Sequence, residues 1–209
     1  MIIISHRGYW KLPEEKNTNK AFDQSFSLNF GTETDLRDHE GELVISHDPA
    51  QKKSMSAELF FSTYIQYEKR LPLALNIKAD GLQKLLSTVI KKYDVRDYFV
   101  FDMSTPDMVE YLNEDIKVFT RQSEFEITPV LYDESKGVWI DSFISNWFNQ
   151  DTIRAHIDNG KQVCLVSPEL HNRPYRGEWE RLKKMSIITS PDVMLCTDYP
   201  EQARSFFHE

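Results

Sequence analysis

Eight short apolar runs recur along this chain with helix-like segments between them, and that alternation limits the fold more than any other feature. The runs cover residues 2–5, 32–36, 73–77, 98–101, 116–120, 138–140, 163–166 and 193–196. Continuous apolar stretches of this length, bounded by polar residues, read as strands buried on both faces of a parallel sheet. A ninth run, 43–46, follows the turn-like Asp38-His39-Glu40-Gly41 and reads as a small hairpin folded back on the second strand. Between the runs lie helix signals. Asn17-Thr18 caps a segment with Ala21, Phe22, Ser25 and Phe26 on one face, ending near Asn29 with Gly31 beyond. Leu82, Leu85, Leu86, Val89 and Ile90 repeat at helical spacing after Asp80, and Thr105-Pro106 opens a further helix with proline in its first turn. Residues 151–158 form another, ended by Asn159-Gly160, and Tyr199-Pro200-Glu201 begins the last. Eight strands alternating with helices predict an α/β fold, a compact (β/α)₈ TIM barrel with a small hairpin after strand 2. The rival is an open doubly wound sheet, but no glycine-rich phosphate loop follows any strand.

Composition agrees with one globular unit. At 209 residues, 40% hydrophobic and 28% charged, the chain has enough apolar mass for a core and is not a disordered sequence. No Gly/Ser- or Pro-rich linker divides it, so residues 1–209 are expected to form a single barrel domain. A net charge of −8 and a pI near 5.3 argue against a nucleic-acid partner, which calls for a basic stripe. The apolar start Ile2-Ile3-Ile4 is too short for a signal peptide, and no window approaches the roughly 18 apolar residues of a membrane span. A cytoplasmic protein without a transmembrane segment is expected. Cys164 and Cys196, on neighbouring predicted strands, then read as buried reduced thiols.

Active sites of such barrels gather at the C-terminal ends of the strands, and nearly every run here ends in an ionisable group. The first ends in His6-Arg7, the second carries Glu33, Asp35 and Arg37, and the hairpin ends in His47-Asp48. Asn76 and Lys78 close the third, Asp102 the fourth, Arg121 the fifth, Asp141 the sixth, Glu169 and His171 the seventh, and Asp198 the eighth. Glu33 and Asp35 are two residues apart, so on a strand both side chains share a face and offer a site for a hard cation, Mg²⁺ or Ca²⁺. Such a pair alone equally describes a solvated strand end. His6 and His47 change the balance, because two imidazoles beside a metal provide a general base and a general acid near neutral pH. Asn76 and Lys78, at the same spacing, present an amide oxygen and an ammonium to the same mouth. His39 falls in the exposed turn, His156 lies on a helix, and the tryptophans read as packing residues, except that Trp10 follows the first strand end and is placed to line the mouth.

The segments Ser5-His6-Arg7-Gly8, Asn17-Thr18 with Ala21-Phe22, Gly31-Thr32-Glu33-Thr34-Asp35-Leu36-Arg37 and Gly41-Glu42-Leu43-Val44-Ile45-Ser46-His47-Asp48 together resemble the N-terminal signature of the glycerophosphodiester phosphodiesterase family. That family belongs to the phospholipase C-like phosphodiesterases, which are TIM barrels. Order, spacing and chemistry agree over residues 2–49, and Cys196-Thr197-Asp198-Tyr199-Pro200 resembles the closing strand and turn. The resemblance implies hydrolysis of a small-molecule phosphodiester in lipid metabolism, yielding glycerol phosphate and an alcohol. By the same resemblance, His6 and His47 are the catalytic pair, Glu33 and Asp35 ligate a divalent cation, and Arg7 and Lys78 hold the phosphate; the amide oxygen of Asn76 is a further candidate ligand on its own chemistry. Asp102, Arg121 and His171 are candidates for the surrounding shell.

Two departures from the family pattern stand out. Asn76 occupies the position where members usually carry a Glu two residues before the strand-3 Lys, which removes one negative charge and implies weaker metal binding. Lys16 is inserted where the family's Glu directly precedes Asn, which puts the role of Glu15 in doubt. Two other readings follow from these features: a phosphate-binding barrel with impaired catalysis, and a lipid head-group phospholipase or lyase that forms a cyclic phosphate. A Schiff-base role for Lys78 is a minor alternative.

Overall fold

A computed structural model describes residues 1–69 and 71–208. Among the described residues there are ten strands, in chain order β1 (Ile2–Ser5), β2 (Gly31–His39), β3 (Glu42–Ile45), β4 (Met55–Ser56), β5 (Leu73–Ile77), β6 (Tyr98–Phe101), β7 (Phe119–Gln122), β8 (Gly137–Ile140), β9 (Gln162–Val166) and β10 (Val193–Thr197). The α-helices are α1 (Asn19–Ser27), α2 (Ala57–Tyr64), α3 (Gln83–Lys92), α4 (Thr105–Asn113), α5 (Gln150–Asp158), α6 (Arg176–Lys183) and α7 (Pro200–His208). No helix among the described residues is long and apolar enough to cross a membrane. The chain folds as two compact units, residues 5–118 and residues 1–4 with 119–209.

In the 5–118 unit the strand order is β4-β3-β2-β5-β6. β2, β5 and β6 run parallel, with Asp35 opposite Asn76 and Asn76 opposite Phe101. The expected hairpin is present: β3 pairs antiparallel to β2 from Leu36–Ile45 to His39–Glu42, turning at Glu40 and Gly41, both with positive φ. Thr18 is the N-cap of α1, its hydroxyl accepting from Ala21 N–H. At the far end Asn29, near which the helix was expected to end, takes φ 56°, and Gly31 opens β2. The two-residue β4 and helix α2 escape the apolar pattern. Contiguous Leu59-Phe60-Phe61 blurs the helical period, yet Ser56 caps α2 and Phe22 of α1 meets Phe60 edge to face at 4.6 Å. Aromatic pairs of this kind add about 0.5–1.5 kcal/mol beyond the area they bury.

In the other unit β7, β8, β9 and β10 pair in parallel, and β1 lies against β10. β7 begins at Phe119, later than the expected start at 116. Ile116 lies in the turn after α4, where Asp115 takes a positive φ and the Ile116 N–H returns to the Tyr111 carbonyl. Helix α6, also absent from the sequence reading, is held by Trp179, which is buried and donates its indole N–H to Ser167 Oγ at 2.9 Å. Cys164 and Cys196 are buried free thiols on β9 and β10.

Candidate active site

All but two of the candidate residues lie in the 5–118 unit, where the carboxyl ends of β2, β5 and β6 meet the turn after β1. That turn is dictated by backbone geometry. Arg7 and Gly8 both take positive φ, 58° and 80°, and a Cβ at Gly8 would stand 2.9 Å from the Ala21 backbone carbon. Only glycine lets the chain pass that close to α1, and the Tyr9 N–H then reaches the Ala21 carbonyl at 2.8 Å. The same turn aims the Arg7 N–H at Glu33 Oε2, 3.0 Å away, and brings His6 Nε2 to 3.9 Å from that oxygen.

Glu33 and Asp35 share one face of β2, as their spacing predicts, and both are buried, 1% and 0% exposed. Burial pushes the Glu33 carboxyl up to about 8, with the Asp35 charge adding to the rise and Arg7 and Lys78 opposing it. Asp35 gathers three partners. Arg7 Nε lies 3.1 Å from Oδ2, Asn17 Nδ2 donates to Oδ2 at 2.8 Å, and Lys78 Nζ stands 3.7 Å from Oδ1. Lys78 also reaches Asp102 Oδ2 at 3.6 Å, from a strand end where Asp102 has φ 71°. Asp35 Oδ1 and Asn76 Oδ1 are buried without a hydrogen-bond partner, on residues that are register neighbours on parallel strands. Two oxygens without hydrogen bonds, with Glu33 beside them, suit a hard cation, whose donors are carboxylate and amide oxygens and water. Among the described residues, no group of three or more His, Cys, Asp or Glu side chains surrounds a common point. The donor set therefore depends on the amide of Asn76.

His47 follows β3 and opens, with Arg7, onto a cleft of about 880 Å³. Its Nδ1 is hydrogen-bonded to Asp48 Oδ1 at 2.9 Å, and its carbonyl accepts from Arg37 Nε at 3.1 Å. Trp10 donates its indole N–H to the His6 carbonyl at 3.0 Å. Glu15 faces its own loop: Lys11 and Leu12 N–H donate to Oε2 and Lys20 pairs with Oε1, holding the carboxyl down to about 2.

One contributor was not legible as such. Asn17 reads from sequence as a helix cap, but Thr18 does the capping. Asn17, at φ 59°, accepts from the Thr34 hydroxyl at 2.9 Å and donates to Asp35. An Asn beside a second cap-forming residue was the available signal, since Asn is among the residues that tolerate the left-handed region. Arg121 and His171 lie in the other unit. There Arg121 is paired with Glu126, and His171 is hydrogen-bonded to Asp141 and packed on the Phe143 ring at 4.7 Å.

No family model and no curated protein sequence matches the chain. Solved structures do. A glycerophosphodiester phosphodiesterase from Agrobacterium tumefaciens superposes with a TM-score of 0.69 at 14% identity, over 99% of this chain and 98% of that one. A glycerophosphoryl diester phosphodiesterase from Parabacteroides distasonis gives 0.68 at 11% identity, over 99% and 86%. The fold is that of glycerophosphodiester phosphodiesterases. A phosphoribosyl anthranilate isomerase from Thermus thermophilus also matches, at a lower TM-score of 0.53 and 10% identity, over 100% and 97% of the two chains. A fold shared with an isomerase does not assign chemistry, so a phosphodiesterase reading has to rest on the site itself.

Proposed function

We propose that this protein is a divalent-cation-dependent phosphodiesterase acting on glycerophosphodiesters, built as one (β/α)₈ barrel domain and located in the cytoplasm. The observation that carries the reading is the pair of buried oxygens without a hydrogen bond, Asp35 Oδ1 and Asn76 Oδ1, beside the cations Arg7 and Lys78. Likeness to phosphodiesterases over the whole chain supports the barrel, and two buried free thiols fit a reducing compartment.

Glu33, Asp35 and Asn76 would hold the cation, and a bound cation supplies positive charge to the non-bridging phosphate oxygens. Two carboxylates and one amide suit Mg²⁺, which is bound through one or two carboxylates and keeps several waters. Arg7 orients the diester with a planar guanidinium fork, which Asp35 fixes at Nε, while Glu33 accepts from the Arg7 backbone N–H. Lys78, held between Asp35 and Asp102, adds a second fixed charge. With Asp48 accepting from Nδ1, His47 has Nε2 available to give a proton to the leaving oxygen. His6, beside Glu33, takes the proton of the attacking hydroxyl.

The test is turnover of a glycerophosphodiester panel with Mg²⁺ or Ca²⁺, repeated with a chelator and with His47→Ala. Mg²⁺-supported release of glycerol phosphate is expected, abolished by chelation and lowered about 10²–10⁴-fold by His47→Ala. Inactivity toward every diester with every divalent metal sinks the reading. A cyclic phosphate among the products would assign attack to a neighbouring substrate hydroxyl and make the protein a lyase. One observation favours a second reading, a metal-free phosphate-binding barrel: Arg7 and Lys78 already stand against Asp35, and Asn76 lacks a charge. Phosphate binding unaffected by chelator, with no Mg²⁺ uptake in calorimetry, would support it.

A further inference from the structure

The three most exposed large hydrophobic side chains among the described residues all belong to the loops that follow β7 and β8. Ile144 is 69% exposed, Phe125 67% and Ile127 64%, and Val130 on the first of these loops is exposed as well. One carboxylate fastens the two loops to each other. Glu124 Oε2 accepts from the Phe143 N–H at 3.1 Å, and Oε1 accepts from the Ile144 and Ser145 N–H groups at 2.7 and 3.0 Å. Beside that link the rings of Phe125 and Phe143 meet with their centroids 5.9 Å apart. We propose that these apolar tips dock the protein on a zwitterionic lipid surface, entering its interfacial layer as a pair of fastened loops.

The backbone of the tips carries the choice of a lipid surface. A loop in water can leave its N–H groups to the solvent, whereas one entering an apolar medium must satisfy them internally. Here the Phe125 and Glu126 N–H groups donate to Ser123 Oγ, both at 3.2 Å, and the Ser142 N–H donates to Asp141 Oδ1 at 2.9 Å. With the three N–H groups held by Glu124, an unbroken run from 142 to 145 is bonded within the protein. The carbonyls follow suit: Arg173 donates to that of Ser142 at 2.7 Å and Gln122 to that of Ile127 at 2.8 Å. Area separates lipid from a protein partner. Four exposed side chains offer a few hundred Å², short of the roughly 800 Å² per partner of a standard protein interface, but a few apolar groups suffice for interfacial binding. Charge selects the lipid. Residues 123–136 and 141–149 contain Glu124, Glu126, Asp133, Glu134 and Asp141 against Lys136 as their one basic residue. Anionic head groups gain nothing from such loops, so the apolar tips must carry the binding.

Co-sedimentation of the full chain with phosphatidylcholine vesicles tests this, repeated with a fifth of the lipid replaced by phosphatidylserine. Partition into phosphatidylcholine is expected, and no stronger with phosphatidylserine. Phe125→Ser combined with Ile144→Ser should lower the partition coefficient at least fivefold. Val109→Ser, at an exposed apolar position on α4, should leave it within twofold of wild type. A direct readout accompanies these: Phe125→Trp is expected to shift its emission to the blue when vesicles are added. Absence of partition overturns the inference, and so does partition that the double variant leaves unchanged, that Val109→Ser lowers equally, or that requires phosphatidylserine. Sedimentation equilibrium without lipid is the second arm. A dimer that the double variant abolishes assigns the tips to a second copy of the chain and also overturns it; a monomer at every concentration supports it. Neither arm involves turnover, so each outcome stands apart from that of the phosphodiesterase reading.

Discussion

Asp35 organises the candidate site because it is a fully buried carboxylate with more claims on it than it has oxygens. Arg7, Asn17 and Lys78 all approach it, and Oδ1 still has no hydrogen bond. Asp35→Asn keeps the shape and removes the charge, leaving two cations without their common counter-ion. We expect kcat/KM for a glycerophosphodiester to fall about 10²–10³-fold, the scale for loss of a preorganised electrostatic contact, with an unchanged far-UV circular dichroism spectrum. An activity within twofold of wild type would remove Asp35 from the machinery. The spacing of Glu33 and Asp35 made their shared face legible in the sequence, because a strand's period of two leaves no alternative. The partnership of Asp35 with Asn76 needed the register of two strands 41 positions apart, and nothing local encodes that. Asn17 was misread because its role depends on a positive φ, which leaves no trace in a hydrophobic pattern.

At the scale of elements, the turn between β1 and α1 is the most demanding piece of backbone in the 5–118 unit. Gly8 and Gly81 have nearly the same φ, 80° and 85°, but a Cβ at Gly81 would meet nothing within 4 Å, whereas at Gly8 it would strike the Ala21 backbone. Gly81→Ala is therefore expected to cost about 1–2 kcal/mol, the strain of left-handed backbone alone. Gly8→Ala adds the clash, typically about 1–3 kcal/mol more, and displaces Arg7 from Glu33. Urea midpoints of the two variants check this, and equal losses would contradict it. The strands were the most legible elements, since a run such as Leu73–Ile77 is buried at every position and has no amphipathic competitor. Helices α2 and α6 were the least. In α2 the aromatic residues are contiguous, and α6 buries Trp179 and Leu182 amid charged neighbours, too few apolar positions to establish a period.

For the whole molecule, the acid limb of stability is set partly in the unit that does not hold the candidate site. His156 is buried on α5, with Nδ1 bonded to the Tyr132 hydroxyl and Nε2 to Gln122 Oε1, and burial lowers its pKa below the ordinary 6.5. Below pH 6.5 the unfolded chain takes up a proton at this residue while the folded chain does not, so stability falls with pH until the folded value is passed. The urea midpoint should drop between pH 7 and pH 5, and less steeply in His156→Gln; an identical slope in the variant would assign the loss to other groups. The Asn17 N–H donates to the Arg7 carbonyl at 3.0 Å, so the intervening residues form an excursion whose two ends are fastened to each other. Residues can enter or leave that excursion without moving the candidate site residues at its base. In such an arrangement a chain can change what its cleft admits by rewriting a single loop, while the residues at the loop's base stay where they are.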